Sequence, residues 1–127
     1  MPPETTSPYN LEERTFQFAL QTRSILAKRN LPRVCWSDMD QLLRSSGSVG
    51  ANYIEANDAL SPVDKIYRIK IARKEAKESK YWTMLLERRL PDDLQAPMSQ
   101  VRDEANQLMK ILGSILKKLD PKWTPNS

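Results

Sequence analysis

Proline placement constrains this chain more than any other feature. Pro2, Pro3 and Pro8 crowd the start, and Pro32, Pro62, Pro91, Pro97, Pro121 and Pro125 then bound long proline-free stretches. Proline lacks a backbone N–H and clashes with the preceding turn, so it is accepted in first turns and connections but breaks helix interiors. The spacing predicts four helices, near Leu11 to Lys28, Val34 to Leu60, Pro62 to Leu90 and Pro97 to Leu119. The sharpest boundary is at Ser61, an N-cap followed by proline at the first helical position and by Asp64 in the first turn.

Each segment carries an apolar seam at spacings of three and four, the spacing that puts side chains on one helix face. The first seam is Leu11, Thr15, Phe18, Ala19, Thr22, Ile25 and Leu26. The second runs Met39, Leu42, Leu43, Ser46, Val49, Gly50, Tyr53, Ala56 and Leu60, and the fourth Val101, Ala105, Leu108, Leu112, Ile115 and Leu119. No run alternates with period two, so strands are not expected. Short connections at Leu31 to Arg33 and around Ser61 force neighbouring helices to run antiparallel. The expected fold is all-α, an up-down-up-down four-helix bundle over residues 10–119, with a lead at 1–9 and a tail at 120–127.

The third segment is the most informative about partners. On a projection of about 100° per residue, Ile69, Ala72, Ala76, Ser79, Thr83, Leu86 and Leu90 form one narrow face of mostly small side chains. A second apolar group, Tyr67, Ile71, Trp82 and Leu85, falls to one side and would stretch a single core stripe beyond its usual width. Two readings stand: the edge of a wide core, with or without the Trp123 tail folded over it, or a subunit interface. The interface is preferred.

The second segment points the same way. Ser45 to Ala51 has small side chains all round, which lowers helix propensity, so tertiary contacts must hold it. Away from its seam stand Arg44, Ser48, Asn52 and Glu55, either a solvated face or a hydrogen-bonding strip across a subunit boundary. Arg33 to Leu60 carries two bases against four acids, whereas Pro62 to Leu90 carries nine bases against four. Opposite signs suit packing between copies.

Opposite the third helix's core face lies a basic stripe of Lys70, Arg73, Lys74, Lys77 and Lys80. Most charge runs are simply solvated, and Glu75 and Glu78 partly neutralise this one. The alternative is sequence-independent phosphate contact, which the chain's net charge of +4 permits and oligomerisation would multiply.

Much other chemistry is excluded. The chain has no histidine and one cysteine, Cys35, which removes histidine-dependent catalysis, His/Cys zinc sites and an internal disulfide. Asp92 with Asp93, and Asp103 with Glu104, are adjacent in sequence and point in different directions, so they make poor acid–base pairs. Gly47-Ser48-Val49-Gly50 resembles a phosphate loop in composition but sits inside a helical pattern. The expectation is a non-enzyme with no cofactor and no metal. No window approaches the roughly 18 apolar residues of a membrane span, so a cytoplasmic protein without a membrane partner is expected.

The strings NLEERTFQFAL, QLLRSSGSVGANYIEANDALSP and KIARKEAKESKYWTMLLE, in that order, closely resemble a bacterial four-helix bundle family. It is the family known from proteins encoded in intervening sequences of 23S ribosomal RNA genes. The most telling parts are Arg44-Ser45-Ser46, Ser48 to Asn52, Glu55-Ala56, and Lys74 to Glu78 followed by Tyr81-Trp82. The resemblance implies a ring-like homopentamer of antiparallel bundles with nucleic-acid binding proposed. More distantly, the chain is similar to the accessory variability proteins of diversity-generating retroelements, which bind nucleic acid and a reverse transcriptase. Ala56 stands where many family members have glycine. Together these readings favour a homo-oligomer that binds RNA or DNA nonspecifically; the alternative is a scaffold for a protein partner.

Overall fold

A computed structural model describes residues 10–27 and 31–125. It contains four helices, α1 (Leu11–Leu26), α2 (Trp36–Asn57), α3 (Pro62–Glu87) and α4 (Asp92–Leu119), with a 3-10 turn at Arg33–Cys35 leading into α2. No strand occurs among the described residues. The all-α four-helix expectation is met. The lead at 1–9, and Lys28 at the expected end of the first helix, lie outside the described residues.

Local chemistry sets the boundaries. The Asn10 side chain accepts from the Glu13 N–H at 3.3 Å, and the Ser61 hydroxyl accepts from the Asp64 N–H at 3.1 Å, so each cap satisfies one orphan donor. Helix α4 begins at Asp92, five residues before the expected start, with Pro97 inside it. Pro97 offers no N–H to the Asp93 carbonyl, but the helix continues upstream because Leu94 and Met98 extend its buried seam and Asp92 and Asp93 oppose the dipole. Helix α2 ends at Asn57, so Leu60 leaves the expected seam for the connection, where it is 99% exposed. In α4 the seam likewise closes on the fully buried Leu116, and Leu119 is partly exposed.

Cross-links between helices fix their direction. Along α1 and α2, Glu12 pairs with Asn57 at one end, and Arg23 reaches the Leu43 carbonyl and Ser46 at the other. Along α2 and α3, Ser45 meets Ser79 and Asn52 meets Arg68; along α3 and α4, Lys80 meets Asn106 and Glu87 meets Ser99. In every case rising numbers on one helix meet falling numbers on the next. Arg14 closes α1 onto α4 by a two-pronged bond to Glu104 at 2.6 and 2.8 Å.

The core runs the length of the bundle through Phe18, Leu42, Val49, Ile69, Leu86, Leu108, Leu112 and Leu116. Full burial of one such side chain is worth about 1.5–3 kcal/mol. The six residues of the narrow face that fall within α3 are buried, and so is Leu90, which lies past the end of the helix at Glu87. Their small size lets α2 approach closely enough for the Ser45 and Ser79 hydroxyls to bond at 2.8 Å inside the core.

Candidate nucleic-acid interface

Lys70, Arg73, Lys74 and Lys77 converge on one cleft of about 320 Å³, completed by Leu116, Trp123 and Pro125. Among the described residues no carboxylate lines it. The turns of α3 bring these cations together, since spacings of three and four share a face. Lys80, placed in the same stripe by its sequence position, does not line this cleft. Its ammonium donates to Asn106 Oδ1 at 3.1 Å and ties α3 to α4. Lys74 also lies 4.0 Å from Glu78 in an exposed pair, which screening makes weak.

The tail forms the far wall. Trp123 is 8% exposed, and the Arg73 guanidinium sits 4.9 Å from its ring centroid. Trp123 therefore covers the basic flank and not Trp82, which on the helical projection stands about 180° from Arg73 around α3. The tail is fixed from below: Lys117 Nζ donates to the Pro121 and Trp123 carbonyls at 3.0 and 3.4 Å, and the Trp123 N–H donates to the Asp120 carbonyl. The ring edge packs over Gly113, where an added Cβ would stand 3.5 Å from it, an ordinary van der Waals contact. On the other side of Trp123 a second cleft, about 510 Å³, is lined by Arg73, Met109, Lys110, Gly113, Lys117 and Pro125 among others. Lys110, Lys117 and Trp123 belong to this surface, and sequence reasoning missed them. Lys110 and Lys117 stand seven residues apart on α4, a same-face spacing that was a usable signal. Nothing local announces the docking of Trp123.

The apolar flank of α3 is uneven. Tyr67 is 58% exposed and Leu85 is also exposed, whereas Ile71 is half-buried. Trp82 packs against the core with its ring edge-on to Tyr81, and its indole N–H is sealed from solvent without an acceptor. Leu60, just before α3, and Val63, in its first turn, are exposed as well.

The strip on α2 is largely satisfied within the protomer. Asn52 donates to the Ser48 carbonyl and hydroxyl and accepts from Arg68, while Arg44 donates to Gln41; Glu55 is exposed. Arg44 and Ser48 also border a small polar recess with Gln41, Ser45, Glu75 and Glu78. Burial there, reinforced by repulsion from Glu78, pushes the Glu75 carboxyl above its ordinary value, and Lys74 and Arg44 offset part of this. Among the described residues no group of three or more acidic or thiol side chains is placed to hold a metal.

These features define a class: an antiparallel four-helix bundle with a concave cationic flank and a partly exposed apolar flank on the same helix. The chain belongs to the 23S rRNA-intervening sequence protein family, whose model matches residues 11–114. It is similar to a solved structure from Bacteroides thetaiotaomicron VPI-5482, a protein of unknown function from the S23 ribosomal protein family. The two share 30% identity and a TM-score of 0.68 over 84% of this chain and 97% of that one. No curated protein matches the sequence. Neither description names an enzymatic reaction. No helix among the described residues is long and apolar enough to cross a membrane.

Proposed function

We propose that this protein is a non-enzymatic, cytoplasmic homo-oligomer, a pentamer by its family resemblance, that binds RNA or DNA largely independently of sequence through the basic flank of α3. The observation that carries this reading is the convergence of Lys70, Arg73, Lys74 and Lys77 on one cleft, with no carboxylate in its lining among the described residues. Each phosphate neutralised there releases counterions, and repetition of the cleft around an assembly multiplies the affinity for a long polyanion. Lys80, held by Asn106, borders the site and contributes field more than contact.

The test is RNA affinity measured across a salt series for the native chain and for Lys74→Glu with Lys77→Glu. The expected outcome is a log–log salt slope of about −0.7 per contacted phosphate on a single strand, and loss of most of the affinity on charge reversal. A protein-binding scaffold is the second reading, favoured by the exposure of Leu60, Val63 and Tyr67. Affinity that is absent, or unaltered by the double reversal, puts the scaffold ahead.

A further inference from the structure

The two clefts beside Trp123 differ in chemistry in a way that a mere charged surface does not require. One is ringed by Lys70, Arg73, Lys74 and Lys77. The other is lined by Met109, Gly113 and Trp123 together with Arg73, Lys110 and Lys117, and most of its exposed lining is apolar. The Trp123 ring under the Arg73 guanidinium separates them. At about 320 and 510 Å³ both fall within the size of small-ligand sites, roughly 300–1,000 Å³. A cationic compartment next to an apolar one, with one wall in common, matches a nucleotide's two halves: a phosphate and a base.

Resting on the nucleic-acid reading above, we propose that the paired clefts form one site for a single-stranded polynucleotide, which crosses the tail at Trp123. Its phosphates lie among Lys70, Arg73 and Lys77, and an unstacked base enters the second cleft against Met109 and the accessible edge of Trp123. A duplex keeps its bases stacked inside and presents only its backbone, so it engages the cations but places no base in the second cleft. The wall is built before any ligand arrives, because Lys117 holds two tail carbonyls and the Arg73 guanidinium sits over the indole. Trp123 lies beyond the segment matched by the family model, so the family assignment does not supply this feature.

The experiment titrates the full chain with labelled oligo(dT) and oligo(U), with duplexes of the same length, and with inorganic polyphosphate of matched charge. Both single strands should bind about tenfold or more tighter than duplex or polyphosphate, as a base–aromatic contact predicts. Trp123→Ala should remove most of that preference, lowering single-strand affinity several-fold more than polyphosphate affinity, since no phosphate-binding lysine is lost. Gly113→Glu, which sets a carboxylate in the second cleft without truncating the tail, should also weaken single-strand binding; it decides the matter if circular dichroism shows that Trp123→Ala has lost its fold. Equal affinity for duplex or polyphosphate, or single-strand binding unchanged in Gly113→Glu, overturns the paired-cleft site and leaves the basic flank as a general polyanion surface. Absence of binding to every polyanion overturns both readings.

Discussion

Thr15 on α1 and Gly50 on α2 meet so closely that a Cβ on Gly50 would stand 2.8 Å from the Thr15 hydroxyl and 3.2 Å from its Cβ. Thr15 has little room to give way, because its buried hydroxyl donates to the Leu11 carbonyl at 2.6 Å. Two effects oppose each other in Gly50→Ala. Alanine gains about 1 kcal/mol of helix propensity, whereas overpacking a tight interface costs about 1–3 kcal/mol. The contact is backbone-near and buried, so the steric term should win. Gly50→Ala is expected to lower the urea midpoint with an unchanged m-value, and Gly50→Val to lower it further. A midpoint raised by Gly50→Ala would mean that α1 and α2 separate easily at this point.

Glu87 closes the other end of the bundle. It accepts from Arg102 Nη1 and from the Ser99 hydroxyl, each at 2.6 Å, and its side chain is largely buried while Arg102 keeps a third of its surface. A hydrogen bond to a charged group contributes about 1.5–3 kcal/mol, less where water reaches one partner. Glu87→Ala should therefore destabilise by about 1–2 kcal/mol in chemical denaturation. Glu87→Gln should recover part of this by keeping a bond to Ser99. Equal losses in the two variants would assign the effect to packing of the side-chain stem.

What the sequence made legible follows from where the information lies. The α3 core face was readable to the residue because small side chains at strict helical spacing admit one geometry, and Ser61 with Pro62 marked its start. The start of α4 was misplaced because Pro97 is a breaker in local terms, and only the tertiary burial of Leu94 and Met98 shows why the helix runs through it. Leu60 fits the α2 seam by number, yet the chain turns before reaching it. The cations of α3 were visible as a stripe, but the stripe became a cleft only when Trp123 docked from some 50 residues away, and no local pattern encodes that contact. Lys80 shows the converse: its position fits the stripe and its bond to Asn106 takes it elsewhere.

Glu75 gives the bundle a pH signature of known sign. Its carboxyl is raised above the ordinary value of 4.5, by burial first and by Glu78 second. A carboxyl whose pKa is higher in the folded chain binds more protons folded than unfolded across the interval between the two values. In that interval its contribution to stability declines as pH rises, and at neutral pH the ionised group opposes folding. Glu75→Gln should thus be neutral to slightly stabilising at pH 7, by up to about 0.5 kcal/mol given its partial exposure. The gain should vanish once pH falls below 4.5. Thermal melts of both chains at pH 4 and pH 7 check this; a variant that is less stable at pH 7 would show that the attraction of Lys74 and Arg44 outweighs burial.

The apolar flank of α3 makes the oligomer testable without disturbing the protomer. Tyr67 and Leu85 are both exposed, about 18 residues and some 27 Å apart along one helix face. Charged replacements at such positions alter a monomer's stability by no more than about 0.5 kcal/mol, whereas a charge buried in an interface without a partner is strongly unfavourable. Trp82 is the wrong probe, because it packs against the core and its truncation would confound folding with assembly. Native mass spectrometry of the unaltered chain should give a multiple of 14.7 kDa, with five copies expected from the family resemblance. Tyr67→Glu with Leu85→Glu should shift it to the monomer while helical content is retained. The same variant should lose the avidity for long RNA but keep the salt-dependent affinity for a short oligonucleotide, because the cations of α3 are untouched. A chain already monomeric, or an assembly indifferent to both glutamates, would leave the basic flank as a single weak patch and remove the multiplication on which capture of a long polyanion depends.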